Sequence, residues 1–320
     1  MDAKITRRAV LGTVITGLVA GPFIIRSLHR RKHLPDVGRA EMKRQWDALL
    51  KEMIPDVKST ENSHPILCKL KPVPYELPYA VLYPIFHETQ KEPRDVPDIF
   101  LHRSGRLSVK TLGTETVLMG KEIDSVAVAP GKNRPFPLET WIMSMKDSTP
   151  VPMEYSNGQL VALDWNQVPD QILQQMNLYS GFATDAPARP LTVGDTWTVE
   201  GVLGGEFVGK VTRRYLGEFL LNGQPVIQVN TKQDMGYEDM VAQSKDILFQ
   251  VKNQQLRDRL RNEIESAQNM KNRIIVENNS YFDVDTGVLA FRQYEKRIFQ
   301  AGHSIPVLFE TSFTTVKTQA

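Results

Sequence analysis

Residues 280–291 read Ser-Tyr-Phe-Asp-Val-Asp-Thr-Gly-Val-Leu-Ala-Phe, two aromatic and aliphatic runs on either side of an Asp-Thr-Gly turn. Alternating β-branched and aromatic side chains are typical of half-buried strands, and aspartate and glycine are typical of turns. The segment therefore predicts a β-hairpin whose second strand continues to Ile298. Val307–Val316 has the same texture and predicts a further strand, so the C-terminal part of the chain indicates an antiparallel sheet.

The same signs predict more hairpins and strands upstream. Asn-Gly dipeptides between apolar runs favour two-residue hairpin loops, and a Gly-Asp pair before a Thr/Trp/Val alternation marks a turn that leads into a strand. The predicted hairpins are Met153–Tyr155 with Leu160–Leu163 around Asn157-Gly158, and Phe207–Leu216 with Pro225–Thr231 around Asn222-Gly223; the single strands are Arg106–Thr111, Thr114–Met119, Ser125–Ala129, Thr140–Met145 and Thr196–Val199, with turns at Ser104-Gly105 and Pro130-Gly131.

Three segments have helical periodicity. The strongest is about Ser244–Asn272, where an apolar stripe lies opposite a basic face and predicts one long helix against the sheet. Asp36–Met53 predicts an amphipathic helix that ends before Pro55. This helix either lies on a membrane or packs on the body, and its acidic residues favour packing. A short helix is predicted at Val168–Tyr179.

Residues 59–98 are rich in proline. Proline lacks the amide donor and fixes its own φ, so this region predicts extended connections and edge segments around a few short strands. A stretch rich in proline and tyrosine can also be a peptide ligand for another domain, but its frequent aromatic residues favour packing onto the body.

The N-terminal sequence predicts a targeting signal. Thr6-Arg7-Arg8-Ala9-Val10-Leu11 places two arginines directly before an apolar run, residues 9–25, and resembles the twin-arginine export signal of bacteria. In that resemblance Arg7 and Arg8 are the arginine pair, and Val10 and Leu11 are the hydrophobic positions. The resemblance implies the twin-arginine export machinery as a partner and the periplasmic side of the inner membrane as the destination.

The apolar run predicts an anchor. Its length is marginal for a bilayer core of about 30 Å, and Gly12, Gly17 and Gly21 make it weakly hydrophobic while allowing close packing against partner helices. Basic residues at 26–32 would pull the downstream side toward the cytoplasm, but such residues are common in twin-arginine signals. Because no good small-x-small cleavage site follows, an uncleaved anchor is favoured over a processed soluble protein, and a cytoplasmic protein with a buried N-terminal helix is the third alternative.

Composition excludes several classes of partner. The chain has 39 Lys+Arg against 37 Asp+Glu, a formal net charge of +2, and part of the basic excess lies in the first 44 residues, so the body is near neutral and nucleic acid is not an expected partner. One cysteine excludes an intramolecular disulfide and a cysteine-rich zinc site. Its apolar neighbours predict that the Cys68 thiol is buried, has a raised pKa and is inert.

Motifs that often carry chemistry reduce to turns here. Asp285-Thr286-Gly287 is the tripeptide of pepsin-like proteases, but those enzymes need two facing carboxylates and the sequence has one copy, so a hairpin turn is predicted. The histidines show no metal-binding spacing, although His87 and His102 can meet across strands. No catalytic residue, metal ligand or cofactor is therefore predicted. The tryptophans are predicted core anchors: Trp46, Trp141, Trp165 and Trp197.

Two turn motifs carry a resemblance to a wider group. They are Pro-x-x-x-Gly-Asp-x-Trp at Pro190–Trp197 and aromatic-Asp-x-x-x-Gly-x-Leu at Phe282–Leu289. Over about residues 140–318 the chain resembles uncharacterised exported β-rich domains of bacteria, which are similar in outline to the curved, helix-backed antiparallel sheets of periplasmic lipoprotein carriers. The resemblance implies that architecture and no site residue.

The sequence as a whole predicts an α+β, mainly β protein: one or more curved antiparallel sheets backed by one long helix at about 244–272. Its predicted regions are a signal or anchor at 1–33, an amphipathic helix and proline-rich connection at 34–98, and a β-rich body at 99–320. The favoured function is that of a membrane-tethered, exported, non-enzymatic protein that binds an apolar ligand such as a lipid, or another envelope protein. An accessory subunit of an inner-membrane complex is the first alternative, and a hydrolase is the second.

Overall fold

The computed structural model describes residues 36–60, 64–73, 76–85, 97, 99–112, 116–128, 151–156, 159–160, 182, 184–203, 207–250, 252, 254–302, 304, 306 and 308–318. The helices and strands of the described residues follow one another in this order: α1 Asp36–Met53, β1 Val57–Ser59, β2 Leu77–Ile85, β3 Ile99–Leu112, β4 Thr116–Val128, β5 Val151–Ser156, β6 Gln159–Leu160, β7 Thr196–Leu203, β8 Phe207–Leu221, β9 Gln224–Met235, α2 Tyr237–Gln250, α3 Gln254–Met270, β10 Arg273–Asp283, β11 Leu289–Phe299 and β12 Leu308–Val316.

The described strands form one antiparallel sheet. Their order is β1-β8-β9-β10-β11-β12-β2-β3-β4-β5-β6, and β7 also pairs with β8. Because β8 is long, β7 pairs with Phe207–Arg214 and β1 with Phe219–Leu221 on the same edge. The mainly β, antiparallel fold predicted from the sequence is confirmed.

The predicted hairpins are present. β8 pairs with β9 around Asn222-Gly223, β10 pairs with β11, and β5 pairs with β6 through Tyr155 and Leu160. The strands on both sides of Asn222-Gly223 extend beyond their predicted ends. Tertiary pairing thus continues through polar positions that show no strand pattern locally.

The sheet has two faces that are covered differently, and β10 shows the division. Successive side chains of a strand point to opposite faces. Ile274, Val276 and Phe282 lie on one face, whereas Tyr281 lies on the other. We call the first the strap face, because two extended segments cross it, and the second the α1 face, because α1 covers it.

The two straps are residues 64–73 and residues 182 and 184–195. They pair with each other between Ile66 and Leu191 and are tied to the β10–β11 turn by backbone hydrogen bonds. The amide of Thr184 donates to Gly287 O and the amide of Leu289 donates to Phe182 O, both at 2.8 Å. Under the straps lies one apolar cluster, which we call the strap cluster; among its buried members are Cys68, Leu70, Leu77, Tyr79, Leu107, Phe182, Leu191, Tyr215, Ile227, Phe282 and Leu289.

The Asp-Thr-Gly tripeptide forms the turn between β10 and β11, as predicted. The Asp283 carboxylate accepts hydrogen bonds from the amide and the hydroxyl of Thr286, both at 2.7 Å. Gly287 has φ of 67°, and a Cβ atom there would lie 2.4 Å from Lys69 O. Only glycine permits both this backbone conformation and this approach of the first strap.

The Pro190–Trp197 motif also has a structural role. The Asp195 carboxylate accepts hydrogen bonds from the amide of Thr192 at 3.0 Å and from the Arg189 guanidinium. These bonds hold the pKa of Asp195 below its usual value. Backbone hydrogen bonds join Asp195 O to the amide of Tyr215, so the turn fixes the second strap to β8.

Helix α1 packs on the body, as its acidic residues predict. Met42, Trp46 and Met53 are buried along one side of the helix. The Trp46 ring lies 5.9 Å from the Phe100 ring on β3. The cluster under α1, the α1 cluster, also contains Leu82, Leu221, Val226, Tyr281, Ala290, Phe291 and Phe313.

The single helix predicted at about 244–272 is wrong: the structure divides this region between α2 and α3, and α2 begins earlier, at Tyr237. The two helices pack on each other and on the strap face, where Met240 of α2 and Ala267 of α3 join a third cluster. The break lets α2 and α3 contact each other as well as the sheet. The break is hidden in the sequence because neither glycine nor proline marks it. Asparagine, a residue favoured at helix N-caps, precedes Gln254.

The third cluster, which we call the hairpin cluster, contains Val211, Met235, Met240, Ala267, Ile274, Val276 and Ile298.

The proline-rich region contributes a central strand, which the sequence does not predict. β2 lies between β12 and β3 although it contains Pro78 and Pro84. Pro78 O accepts a hydrogen bond from the amide of Lys317, which lies just after the end of β12. The backbone N and O atoms of the even-numbered β2 residues therefore point toward β12. Pro84 faces a gap in the register with β12 between Leu82 and Ile85. Neither proline is paired with a β12 residue, so the missing amide donor of each interrupts no β12 pair.

The turn predicted at Ser104-Gly105 is wrong. Both residues lie inside β3, and the register with β4 shifts between them. A glycine inside a strand marks a β-bulge as well as a turn, and the local sequence does not distinguish the two.

Several predictions lie outside the described residues. None of the described helices is long and apolar enough to cross a membrane. The predictions outside the described part are the signal and anchor with Arg7, Arg8, Val10, Leu11, Gly12, Gly17 and Gly21, the strand Thr140–Met145, the helix Val168–Tyr179, the turn Pro130-Gly131, the loop Asn157-Gly158, and His87, Trp141 and Trp165.

Candidate functional site

A polar belt crosses the strap face between the strap cluster and the hairpin cluster. On β10, Val276 belongs to the hairpin cluster and Phe282 to the strap cluster. Between them, Asn278 and Ser280 point to the same face and are buried, and the Ser280 hydroxyl donates to the Asn278 carboxamide oxygen at 3.1 Å. Two buried polar side chains thus interrupt an otherwise apolar stripe.

The register carries the interruption to polar residues on six strands, while the β2 position in the same row is the apolar Val81. Asn278 lies opposite Thr231 on β9, which lies opposite Arg213 on β8. In the neighbouring row, Ser280 lies opposite Arg292 on β11, and Arg292 lies opposite Thr314 on β12. The same row reaches Arg103 on β3 through Val81 of β2. The polar belt comprises Arg103, Arg213, Thr231, Asn278, Ser280, Arg292 and Thr314.

Arg213 has well-defined partners. Its Nε and Nη2 atoms donate to Oδ2 of Asp185 at 3.0 and 2.9 Å, and Nη1 donates to the Thr231 hydroxyl. The other Asp185 oxygen accepts a hydrogen bond from the Trp197 indole at 3.3 Å. The second strap therefore meets this end of the belt through a charged pair that is largely shielded from water.

Arg292 lies at the centre of the belt. Its guanidinium carbon is 5.9 Å from the centre of the Phe182 ring, a cation–π arrangement. Arg292 keeps some exposed surface. Its guanidinium is nevertheless enclosed enough that burial, followed by the positive charges of Arg213 and Arg103, lowers its pKa to about 10.

Arg103 and Lys296 extend the basic character of the face. Arg103 is 8% exposed, and burial lowers the pKa of its guanidinium. Lys296 lies on β11 opposite Val276 and Glu310 and is 2% exposed. Buried lysine and arginine are rare because desolvation opposes the charge, so their presence on one face calls for a reason beyond packing.

The chemistry of the belt is that of binding. Guanidinium groups are protonated at neutral pH and donate hydrogen bonds without exchanging protons readily. Among the described residues, no three histidine, cysteine or acidic side chains are grouped to hold a metal ion. Cys68, as predicted, is buried, and burial raises the pKa of its thiol to about 12. The belt thus offers fixed donors and positive charge.

The residues predicted from the sequence lie mostly elsewhere. The export residues Arg7, Arg8, Val10 and Leu11 and the anchor glycines Gly12, Gly17 and Gly21 are outside the described part of the chain. His102 lies on β3 opposite Leu82, on the α1 face. Trp46 is buried as predicted, and Trp197 is partly buried beside the strap cluster.

Sequence reasoning missed the belt, although a signal exists. Arg213 lies in phase with Val211 and Tyr215, and Arg292 lies in phase with Tyr294. A basic residue at the inward position of an alternating strand is the sign of a buried charge. The sign is weak in a single strand, and only the register aligns several such positions.

Comparisons with known proteins give no family. No protein-family model matches the chain, and no curated protein matches it. Among solved structures, the chain is similar to a structure of lipovitellin that describes lipid–protein interactions, with 10% sequence identity and a TM-score of 0.36. The match covers 80% of this chain and 25% of that one, so this chain spans a quarter of the length of the lipovitellin chain.

Proposed function

We propose that the protein is an exported, membrane-tethered binding protein without catalytic machinery, and that it holds an apolar ligand against the strap face. One observation carries the proposal: the polar belt divides two separate apolar clusters on one face of the sheet. Binding sites for small molecules are lined mainly by apolar side chains and contain a few fixed polar groups that orient the ligand. The strap face has that composition, and a pKa lowered within it is a further sign of a functional site.

The covers of the strap face support ligand entry beside α2 and α3. The straps are bound to the sheet by backbone hydrogen bonds. The two helices contact the sheet through side chains such as Met240 and Ala267. Phe249 near the end of α2 is 85% exposed, so the helical cover also presents an apolar side chain to its surroundings.

The predicted tether fits this arrangement. The anchor at residues 9–25 precedes α1 in the chain, and α1 packs on the opposite face of the sheet from the belt. A membrane attachment that acts through α1 would therefore lie on the opposite side of the sheet from the proposed ligand.

The ligand is tested on the full chain purified from membranes in mild detergent. Native mass spectrometry, followed by extraction and mass analysis of the bound small molecules, identifies what the protein carries. We expect the chain to retain an apolar small molecule in stoichiometric amount. A chain free of small molecules but held in a fixed ratio with other proteins would refute ligand binding and favour the complex subunit.

Export is tested separately. A variant with Arg7→Lys and Arg8→Lys should accumulate in the cytoplasm, because the arginine pair is the recognised part of a twin-arginine signal. A periplasm-dependent reporter fused after Ala320 should be active in the parent and inactive in the variant. Equal reporter activity in the two chains would overturn the export route.

A further inference from the structure

We infer that the polar belt binds the anionic head group of an amphiphile, a carboxylate or a phosphate, with Arg292 as its central ligand and Arg103 and Arg213 on either side. The inference rests on the proposed function and names the class of ligand that the strap face takes. The tail of that amphiphile lies between the hairpin cluster and its cover, α2 and α3.

The two flanking arginines are the same number of strands from Arg292, although Arg213 lies one row further along the strands than Arg292 and Arg103. Between Arg292 on β11 and Arg103 on β3 lie β12 and β2, and between Arg292 and Arg213 on β8 lie β10 and β9. Each interval is therefore three strand spacings, about 14 Å between backbones. Side chains as long as arginine shorten this interval, and the charges of both flanking arginines act on Arg292.

An anion offsets the cost of this arrangement. Positive charges that are brought together and partly desolvated repel one another, and each is harder to keep charged than in water. A guanidinium has five N–H donors in a planar fork that matches carboxylate and phosphate, so a side chain with partners in the chain still has donors for a ligand. Arg213 forms hydrogen bonds to Asp185 and Thr231 through Nε, Nη1 and Nη2.

Arg292 is the member best placed to contact a ligand. It is central, it keeps some exposed surface, and the Phe182 ring lies against its guanidinium. A ring beneath a guanidinium fixes the plane in which the donors point. The neutral donors of Ser280 and Thr314 lie directly opposite Arg292 on the two flanking strands.

The apolar surroundings make the ligand an amphiphile. The belt borders the hairpin cluster on one side, with Val276 and Ile274 in the next positions of β10. Val276 and Ile274 are buried under α2 and α3, so the tail of a ligand whose head group lies at Arg292 would lie between these two helices and the sheet. The other border, the strap cluster, is already closed by the straps and their backbone hydrogen bonds.

The test compares head groups on one tail. Dissociation constants are measured by calorimetry on the delipidated full chain in one detergent, for a long-chain fatty acid and for the fatty alcohol of the same length. Both probes partition into detergent through the same tail, so the ratio of the two constants reports the head group. We expect the acid to bind about tenfold more tightly or better, since hydrogen bonds between charged groups are stronger than those to a neutral hydroxyl.

Variants assign the preference to the belt. In Arg292→Met the ratio should fall close to one, and in Arg292→Lys, which keeps the charge, it should be partly retained. Arg297→Met is the matched control, because Arg297 lies on the same strand but on the other face and pairs with Glu295. Should Arg292→Met fail to fold, Arg213→Gln against Arg214→Gln repeats the comparison on β8, where Arg214 is exposed.

The outcomes separate the two proposals. Equal binding of acid and alcohol overturns the anionic head group and leaves apolar binding intact, whereas binding of neither probe overturns both. A preference that survives in Arg292→Met also overturns the inference. Inorganic phosphate alone is the third probe: if it binds as tightly as the fatty acid and displaces it, the belt is a site for a free anion and the amphiphile is wrong.

Discussion

The apolar side chains on the two faces of the sheet are covered in different ways. Over the centre of the α1 face, one helix buries Met42, Trp46 and Met53 against aromatic side chains of the sheet. The strap face has two covers, the straps at one end and α2 with α3 at the other, and the polar belt lies between them. A continuous apolar contact stabilises a fold, whereas a buried row of positive charge does not.

The difference separates stability from function. Substitutions on the α1 face should lower the free energy of unfolding and leave ligand selectivity unchanged. Substitutions in the belt should change selectivity and cost little stability. The comparison fails if both faces respond alike.

The largest effect is expected for Trp46→Ala. Removing a buried tryptophan from the α1 cluster should lower the free energy of unfolding by about 3–5 kcal/mol, through lost burial and a residual cavity. Gln45→Ala, an exposed neighbour on α1, should change it by less than about 0.5 kcal/mol. Denaturant unfolding of the full chain in detergent measures both. A loss below about 1 kcal/mol for Trp46→Ala would mean that α1 is not a structural cover.

Gly287→Ala should have the next largest effect and tests how firmly the strap is attached. The added Cβ meets Lys69 O and adopts a left-handed φ, so the free energy of unfolding should fall by roughly 2–3 kcal/mol. Gly223→Ala shares the positive φ but has open space around the Cβ, and it should lose only about 1 kcal/mol. Equal losses in the same unfolding measurement would show that strap contact adds nothing to the turn.

Local elements of the fold were predictable because their signals are local. The α1 helix spans the residues that its periodicity and flanking signals predict, and the Asn222-Gly223 and Asp-Thr-Gly turns lie where turn chemistry requires them. The exceptions depend on partners far away in the chain. Pro78 and Pro84 are tolerated in a central strand because of where β12 ends and where its pairing with β2 is interrupted, and no local pattern near the prolines reports on β12.

The candidate site was not predictable for the same reason. Arg103, Arg213 and Arg292 are far apart in the sequence, and each alone looks like an ordinary polar position of a strand. The order in which β3, β11 and β8 enter the sheet brings them onto one face. Burial of Cys68 was predictable, because its immediate neighbours are apolar.

The third prediction concerns the strap cluster at alkaline pH. The Cys68 thiol is a group whose pKa is raised in the folded state, from 9.0 to about 12. Its contribution to stability is complete below 9.0 and is lost as the pH rises toward the folded value, because the unfolded chain then loses a proton that the folded chain keeps. Above 9.0 the free energy of unfolding should fall by about 1.4 kcal/mol for each pH unit.

Cys68→Ala is the control for the alkaline effect. Its free energy of unfolding should stay flat over the first pH unit above 9.0, before tyrosines such as Tyr215, with an ordinary pKa of 10.0, begin to titrate in the unfolded chain. The check is to measure denaturant midpoints of the parent and of Cys68→Ala at several pH values within that first pH unit. The same slope in parent and variant would mean that the thiol is not held protonated by the straps.

The smallest and sharpest effect is expected for Arg292→Met in the ligand-free chain. Burial opposes the charge of Arg292, as its lowered pKa records, and Arg213 and Arg103 add repulsion. Replacing a buried charge by an apolar side chain of similar length is often neutral or stabilising. We therefore expect the free energy of unfolding to rise by about 1 kcal/mol, while Arg297→Met, which breaks a partly exposed pair with Glu295, lowers it by less than about 1 kcal/mol. The two variants are compared with the parent by denaturant unfolding after delipidation.

A gain in stability at Arg292 together with a loss of head-group selectivity would show that the belt charge is kept for its ligand. A loss above about 2 kcal/mol would instead make Arg292 a structural residue and remove the contrast between the two faces.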